Sequence, residues 1–183
     1  MTGRDAERGV GHGHGQGAGR WVLLSYRLPR EPSTPRIGVW RKLERLGVAR
    51  LGDGLVALPA DARTREQVDW LAEEITEAGG IATVWLATPG SAAQERTIAQ
   101  AMRTARAAEY QIVIAQARAA ADGTAVEQAR ALRRLRAELR RIARRDFFPP
   151  PDRDAAQAAI DALTADTNTE ATQATSPAIE ARP

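Results

Sequence analysis

Arginine is the residue type most able to do chemistry in this chain. The stretch "YRLPREPSTPRIGVWRKLERLG", residues 26–47, holds five arginines, one lysine and three prolines. A guanidinium stays charged at any physiological pH. It also presents a planar fork of N–H donors that carboxylates and phosphates accept in pairs. Arg27, Arg30, Arg36 and Arg41 lie where an apolar run gives way to a helix-like pattern. A helix start adds unpaired backbone N–H groups and the positive end of the dipole. Cations gathered there suit phosphate, sulfate or a similar tetrahedral oxyanion. A plainer reading stands beside that one: the side chains decorate a loop, or pair with Glu31 and Glu44.

A second concentration lies between residues 125 and 145. Arg130, Arg133, Arg134, Arg136, Arg140, Arg141, Arg144 and Arg145 face only Glu127 and Glu138, a local charge of +6 in a chain whose net charge is +3. A local basic face is the electrostatic footprint that polyanions respond to. Arg133, Arg134, Arg140 and Arg141 are the candidates for contact with a nucleic-acid backbone. Within "RAAEYQ", Glu109 follows Ile98, Met102 and Ala105 along an apolar stripe. A carboxylate there needs a partner, and Arg136 is the candidate for a structural ion pair.

Catalytic arrangements are not found. The chain has no cysteine, which excludes disulfides, thiolate catalysis and cysteine zinc sites. Its two histidines, His12 and His14, sit in "GHGHG" near the N-terminus. Two imidazoles without acidic or thiolate companions make a poor metal site, and a Ser-His-Asp array has no rigid histidine to use. No P-loop or dinucleotide fingerprint is present. Asp53, Asp61 and Asp69 read as turn or solvated carboxylates. The expectation is a non-enzymatic protein with no cofactor and no metal.

At 183 residues and 43% hydrophobic content, the chain has room for about one domain plus tails. Residues 1–19 are glycine-rich and read as a disordered tail. "WVLLSYRL", 21–28, reads as a buried strand. Thr34 is the expected N-cap of the next helix, with Pro35 at its first position and Gly47 just past its end. "VARLGDGLVALP", 48–59, reads as two short strands joined at Gly52-Asp53-Gly54. A helix capped by Thr64 with Gln67 follows, then a strand at 81–88. The order β-α-β-β-α-β over 20–90 is the ferredoxin-like plan, an α+β fold with both helices on one sheet face. The other face must be covered by another element or a second subunit. Trp40 and Trp70 read as core or interface residues.

Residues 91–163 read as an antiparallel helical hairpin followed by a short helix, packed on the core. The first arm runs from Ser91 to about Ala121. The second runs from Thr124, capped with Glu127, to about Arg145, with a narrow seam of Leu132, Leu135, Leu139 and Ile142. Phe147 and Phe148 dock the end of the hairpin onto the core. A helix over 153–163, capped by Asp152, comes last, and residues 164–183 read as a second disordered tail. No apolar run approaches the roughly 20 residues a membrane span needs, and the polar N-terminus does not resemble a secretory signal. The expected location is the cytoplasm.

Taken together, "WVLLSYRLPREPSTPRIGVWRKLERLGVARLGDGLVALP", "TREQVDWLAEEITEAGG", "VWLA", "RAAEYQ" and "DFFPP" resemble the N-terminal domain of the chromate resistance protein ChrB family, over residues 20–163. The resemblance implies a ferredoxin-like core related to the central domain of PaaX-type repressors and to small CRISPR adaptation nucleases. It implies a chromate-responsive regulator of a chromate efflux operon, with DNA binding and dimerisation. Full-length members carry a second, C-terminal domain that is expected to be absent here. The nuclease relatives use an acidic residue at the end of the first strand. Ser25, Tyr26 and Arg27 stand there in this chain, so metal-dependent cleavage gains no support.

The leading expectation is therefore a dimeric, cytoplasmic DNA-binding or co-regulatory protein, with chromate competing for the Arg27, Arg30 and Arg36 cluster. The alternatives are a protein-interaction module that engages no DNA, and a stand-alone oxyanion-binding protein with a basic helical hairpin.

Overall fold

In the computed structural model, residues 19–175 are described, with side chains to residue 165. Among the described residues the fold is α+β: a four-stranded antiparallel sheet and five helices. The strands are β1 (Trp21–Arg27), β2 (Ala49–Gly52), β3 (Leu55–Pro59) and β4 (Ile81–Ala87). Their order across the sheet is β2-β3-β1-β4, with every neighbouring pair antiparallel. Helices α1 (Ser33–Leu46) and α2 (Ala62–Glu77) lie between strands, and α3 (Ala92–Ala120), α4 (Ala125–Ala143) and α5 (Asp152–Thr175) follow the sheet.

Period-two patterning assigns the faces of β1. Val22 and Leu24 lie opposite Leu58 and Val56 of β3, and all four are buried with Val39 and Leu43 of α1 and Val68, Leu71 and Ile75 of α2. The opposite face carries Trp21 and Leu23. Trp21 is buried there, its Nε1 donating to Glu95 of α3 at 3.3 Å. Phe148 stacks on it with ring centres 6.0 Å apart, so the α4–α5 connection docks on the sheet core as expected. The β2–β3 turn depends on Gly54, at φ 71°. Its carbonyl accepts from Tyr26 N at 2.7 Å, and a Cβ at this position would lie 2.3 Å from the Tyr26 carbonyl oxygen. Only glycine satisfies both demands.

A second apolar cluster sits among the last three helices. Tyr110, Val113, Ile114 and Ala117 of α3 meet Leu132, Leu135 and Ile142 of α4 and Ala156, Ile160 and Leu163 of α5. The last helix therefore packs on the hairpin and turns it into a three-helix assembly. Its N-terminal half of α3 serves the sheet through Ile98 and Met102; at 29 residues α3 spans about 43 Å and reaches both cores.

Several local expectations change. α1 starts at Ser33 with Pro32 as N-cap, not at a Thr34 cap. α2 is capped by Asp61, whose carboxylate accepts from Thr64 N at 2.6 Å. Thr64 is unavailable as the cap because its hydroxyl is buried and donates to the Pro59 carbonyl at 2.7 Å. Trp40 and Trp70 are exposed, so neither belongs to the core of this chain. α5 continues to Thr175, so residues 164–175 are helical where a tail was expected. No glycine or proline interrupts 164–175, and Pro177 comes two residues later. Residues 1–18 of the tail expected over 1–19, with His12 and His14, and residues 176–183 lie outside the described residues.

Candidate functional site

The α4 arginines are set out by helical phase. Thr124 and Glu127 form the expected capping box: Thr124 N donates to Glu127 Oε2 at 2.9 Å, and Glu127 N to Thr124 Oγ1 at 3.4 Å. The bond from Thr124 N, with one from the Thr124 hydroxyl to the same Oε2 at 2.8 Å, holds the Glu127 carboxyl below its usual range. Gln128, fully buried, donates from Nε2 to the carbonyls of Ala121 at 3.0 Å and Gly123 at 3.1 Å, which fastens the α3–α4 turn. Leu132, Leu135 and Ile142 then face the second core, with Leu139 partly buried beside them.

At about 100° per residue, Arg130, Arg133, Arg134, Arg140, Arg141 and Arg144 point away from that seam, and all are exposed. From Arg130 to Arg144 the row is about 21 Å long. Arg141 is tied to Glu138 at 2.6 Å, which raises its pKa. Arg130, Arg133, Arg134, Arg140 and Arg144 form no ion pair among the described residues. Three of the four predicted backbone-contact residues are thus free of carboxylates. Arg130 and Arg144 belong to the same row, and their spacing from Arg134 and Arg141 was the signal for them.

The opening cluster is only partly assembled. Arg36 Nη2 donates to the Arg30 carbonyl at 3.3 Å, which brings these two residues together at the start of α1. That helix end has no side-chain cap and no acidic residue in its first turn. Arg27, Arg30, Arg36 and Arg41 are exposed and form no ion pair among the described residues. Arg41 does not join them: five residues along α1 turn it about 140° from Arg36. Nor does Glu44 neutralise the cluster, since its carboxylate pairs with Arg50.

The expected Glu109–Arg136 pair does not form. Glu109 Oε2 accepts from Arg145 Nη2 at 2.7 Å, and Oε1 lies 3.1 Å from Arg106 Nη2. Arg136 instead donates to Thr164 Oγ1 of α5 at 2.9 Å. The phase explains the change: Arg136 emerges beside α5, whereas Arg145 follows the end of α4 and reaches back across α3. Arg145 Nη1 also donates to the Glu44 carbonyl at 3.2 Å, at the negative end of α1. Its stem crosses Gly47, at φ 69°, where a Cβ would lie 2.8 Å from Arg145 Cβ. Burial, and Arg145 nearby, lower the pKa of Arg106 against the pull of Glu109. Alongside, Tyr110 donates to Asp146 Oδ2 at 2.9 Å, and burial with that bond raises its pKa. This cluster joins α1, α3 and the end of α4.

A cleft of about 460 Å³ opens between the sheet and the first turns of α3, lined by Trp21, Leu23, Ala57, Pro89, Ala93 and Ile98 among others. Its lining contains no ionisable side chain. Among the described residues no group of three or more His, Asp or Glu side chains could hold a metal ion, and no helix is long and apolar enough to cross a membrane.

A family model described as "Protein ChrB, N-terminal" matches residues 36–176. The match includes Arg36, Arg41 and every α4 arginine, and leaves Arg27 and Arg30 outside. The Protein ChrB of Cupriavidus metallidurans (strain CH34) is 31% identical over 133 residues, an alignment covering 70% of this chain and 40% of that relative. The chain thus matches less than half the length of this relative. No solved structure matches it.

Proposed function

We infer the function from one premise: the chain belongs to the family of ChrB N-terminal domains. On that premise it is a non-catalytic, dimeric regulator of chromate resistance, acting on DNA in the cytoplasm. The βαββαβ element order and the β2-β3-β1-β4 sheet support a ferredoxin-like reading of its first core. The row of exposed arginines on α4, unpaired among the described residues, carries the DNA proposal. Five guanidinium groups lie along about 21 Å of one helix face, a length that spans several phosphates at about 3.4 Å per nucleotide of one strand. Chromate, a doubly charged tetrahedral anion, would take the uncapped start of α1 beside Arg30 and Arg36.

Fluorescence anisotropy with promoter-length duplex DNA tests the main point. Five phosphate contacts give a slope of log K against log salt near −4.5, a loss of about 500-fold between 50 and 200 mM salt. A slope near zero would remove DNA from the function. It would favour an acidic protein partner, detected by pull-down after nuclease treatment.

A further inference from the structure

The two edges of the sheet are built differently. The β2 edge has four residues, a register break between Arg50 and Gly52, and an ion pair from Arg50 to Glu44. Short length, an irregularity and a charge are the devices by which natural sheets blunt an edge against further pairing. The β4 edge has none of them. Ile81–Ala87 pairs with β1 without a break through all seven residues, and "IATVWLA" contains neither charge nor proline. Ile81 is 69% exposed, Trp85 56% and Leu86 47%. No strand among the described residues covers its outer side.

We propose that β4 pairs antiparallel with β4 of a second copy of this chain, joining two four-stranded sheets into one of eight strands. The inference rests on the dimer in the reading above and assigns its interface. The free edge offers a row of backbone N–H and C=O groups, which only another extended strand can satisfy in full. A second copy fits because a strand without charge meets no like charge when paired with itself. A two-fold axis through Val84 is the register that pairs all seven residues. It sets Val84 against Val84 of the second copy, Trp85 against Thr83, Leu86 against Ala82, and Ile81 against Ala87. Val84 and Leu86 share the sheet side of Leu24 and Val22, and Trp85 that of Leu23. The pairing therefore covers apolar side chains on both faces. One seven-residue strand gives an interface at the small end of the stable range, so the dimer should dissociate in the micromolar range.

Sedimentation equilibrium of the full chain from about 1 to 100 µM tests this, a range set by the affinity expected of a small interface. The expected result is a monomer–dimer equilibrium. Trp85→Lys, which sets two ammonium groups close to the axis, should weaken it at least tenfold, with circular dichroism unchanged. Val84→Cys supplies the chain's only thiol. Facing cysteines in antiparallel strands have Cα atoms about 4.5–5.5 Å apart, within disulfide reach, so mild oxidation should give a covalent dimer. Trp70→Cys, exposed on α2, should not. A dimer that resists Trp85→Lys and forms no Val84→Cys cross-link overturns this interface and leaves the dimer. A monomer at every concentration overturns both. Retention of salt-dependent DNA binding by that monomer would leave the phosphate contacts of α4 standing.

Discussion

Two groups of arginines occupy neighbouring parts of this molecule and have opposite fates. Along α4 and its C-cap, Arg130, Arg133, Arg134, Arg140 and Arg144 are exposed and pair with no carboxylate among the described residues. At the joint of α1, α3 and α4, Arg106 and Arg145 are largely withdrawn from solvent and share one carboxylate, Glu109. The residue type is the same, and the local sequence is basic in both places. Helical phase and the position of one acid, a single turn from Arg106 on α3 and 36 residues before Arg145, decide which guanidinium binds within the chain and which stays in solvent. A basic composition therefore says little about function until each arginine has been traced to what it touches.

The largest effect that would break this contrast is on DNA affinity. Arg133→Gln, Arg134→Gln and Arg140→Gln together remove three proposed phosphate contacts. The slope of log K against log salt should fall by about 2.7, which at 0.1 M salt is a loss of roughly 500-fold in affinity. Thermal stability should stay within about 0.5 kcal/mol for each change, as expected of solvated side chains. Unchanged anisotropy titrations would show that the exposed row does not bind DNA.

The joint should respond the other way. Glu109→Gln leaves Arg106 and Arg145 without their shared counter-charge. Removing one partner of a buried pair costs about 3–5 kcal/mol, and the partial exposure of Glu109 lowers the expectation to about 2–3 kcal/mol. Urea unfolding measures it, while the DNA salt slope should not move. Equal stability of the variant and the parent would mean that the joint contributes no cohesion.

A smaller, pH-dependent effect comes from the same joint. The folded state raises the Tyr110 pKa above its unfolded value. The neutral phenol is thus favoured in the fold, and its contribution is complete below about pH 10, the ordinary value, and is lost as pH rises above it. Stability should decline on the alkaline side, and Tyr110→Phe should flatten that decline. Chemical denaturation between about pH 8 and 11, a span that brackets the ordinary phenol value, reads both slopes.

The sequence made the order of elements and the α4 seam legible because they depend on neighbours three or four residues apart. Gly47 and Gly54 were legible as well, because left-handed backbone selects glycine within a single turn. The choice of Asp61 over Thr64 as a cap was not, since the Thr64 hydroxyl is diverted to Pro59, a contact made only once β3 and α2 are in place. Arg36 and Arg41 read as one cluster along the chain, and the helix separates them by rotation. Trp40 and Trp70 sit at core-like spacing yet outside the buried face. For Glu109 the need for a partner was readable. Its identity was not, because Arg145 lies 36 residues away and reaches it only through the α3–α4 packing.

That last distinction gives the smallest and sharpest test. Arg136 and Arg145 are both basic residues at the C-terminal half of the second hairpin arm, and either could have met Glu109 on sequence grounds. Arg136 bonds Thr164 at an exposed site, where a single such bond is worth about 0.5–1.5 kcal/mol at most and usually less. Arg136→Ala should therefore cost no more than about 0.5 kcal/mol. In double-mutant cycles, Glu109→Gln with Arg136→Ala should be additive, within about 0.5 kcal/mol, and Glu109→Gln with Arg145→Ala should show a coupling of about 1–3 kcal/mol. Coupling to Arg136 instead would restore the pair expected from sequence and place Arg145 among the cations open to a partner.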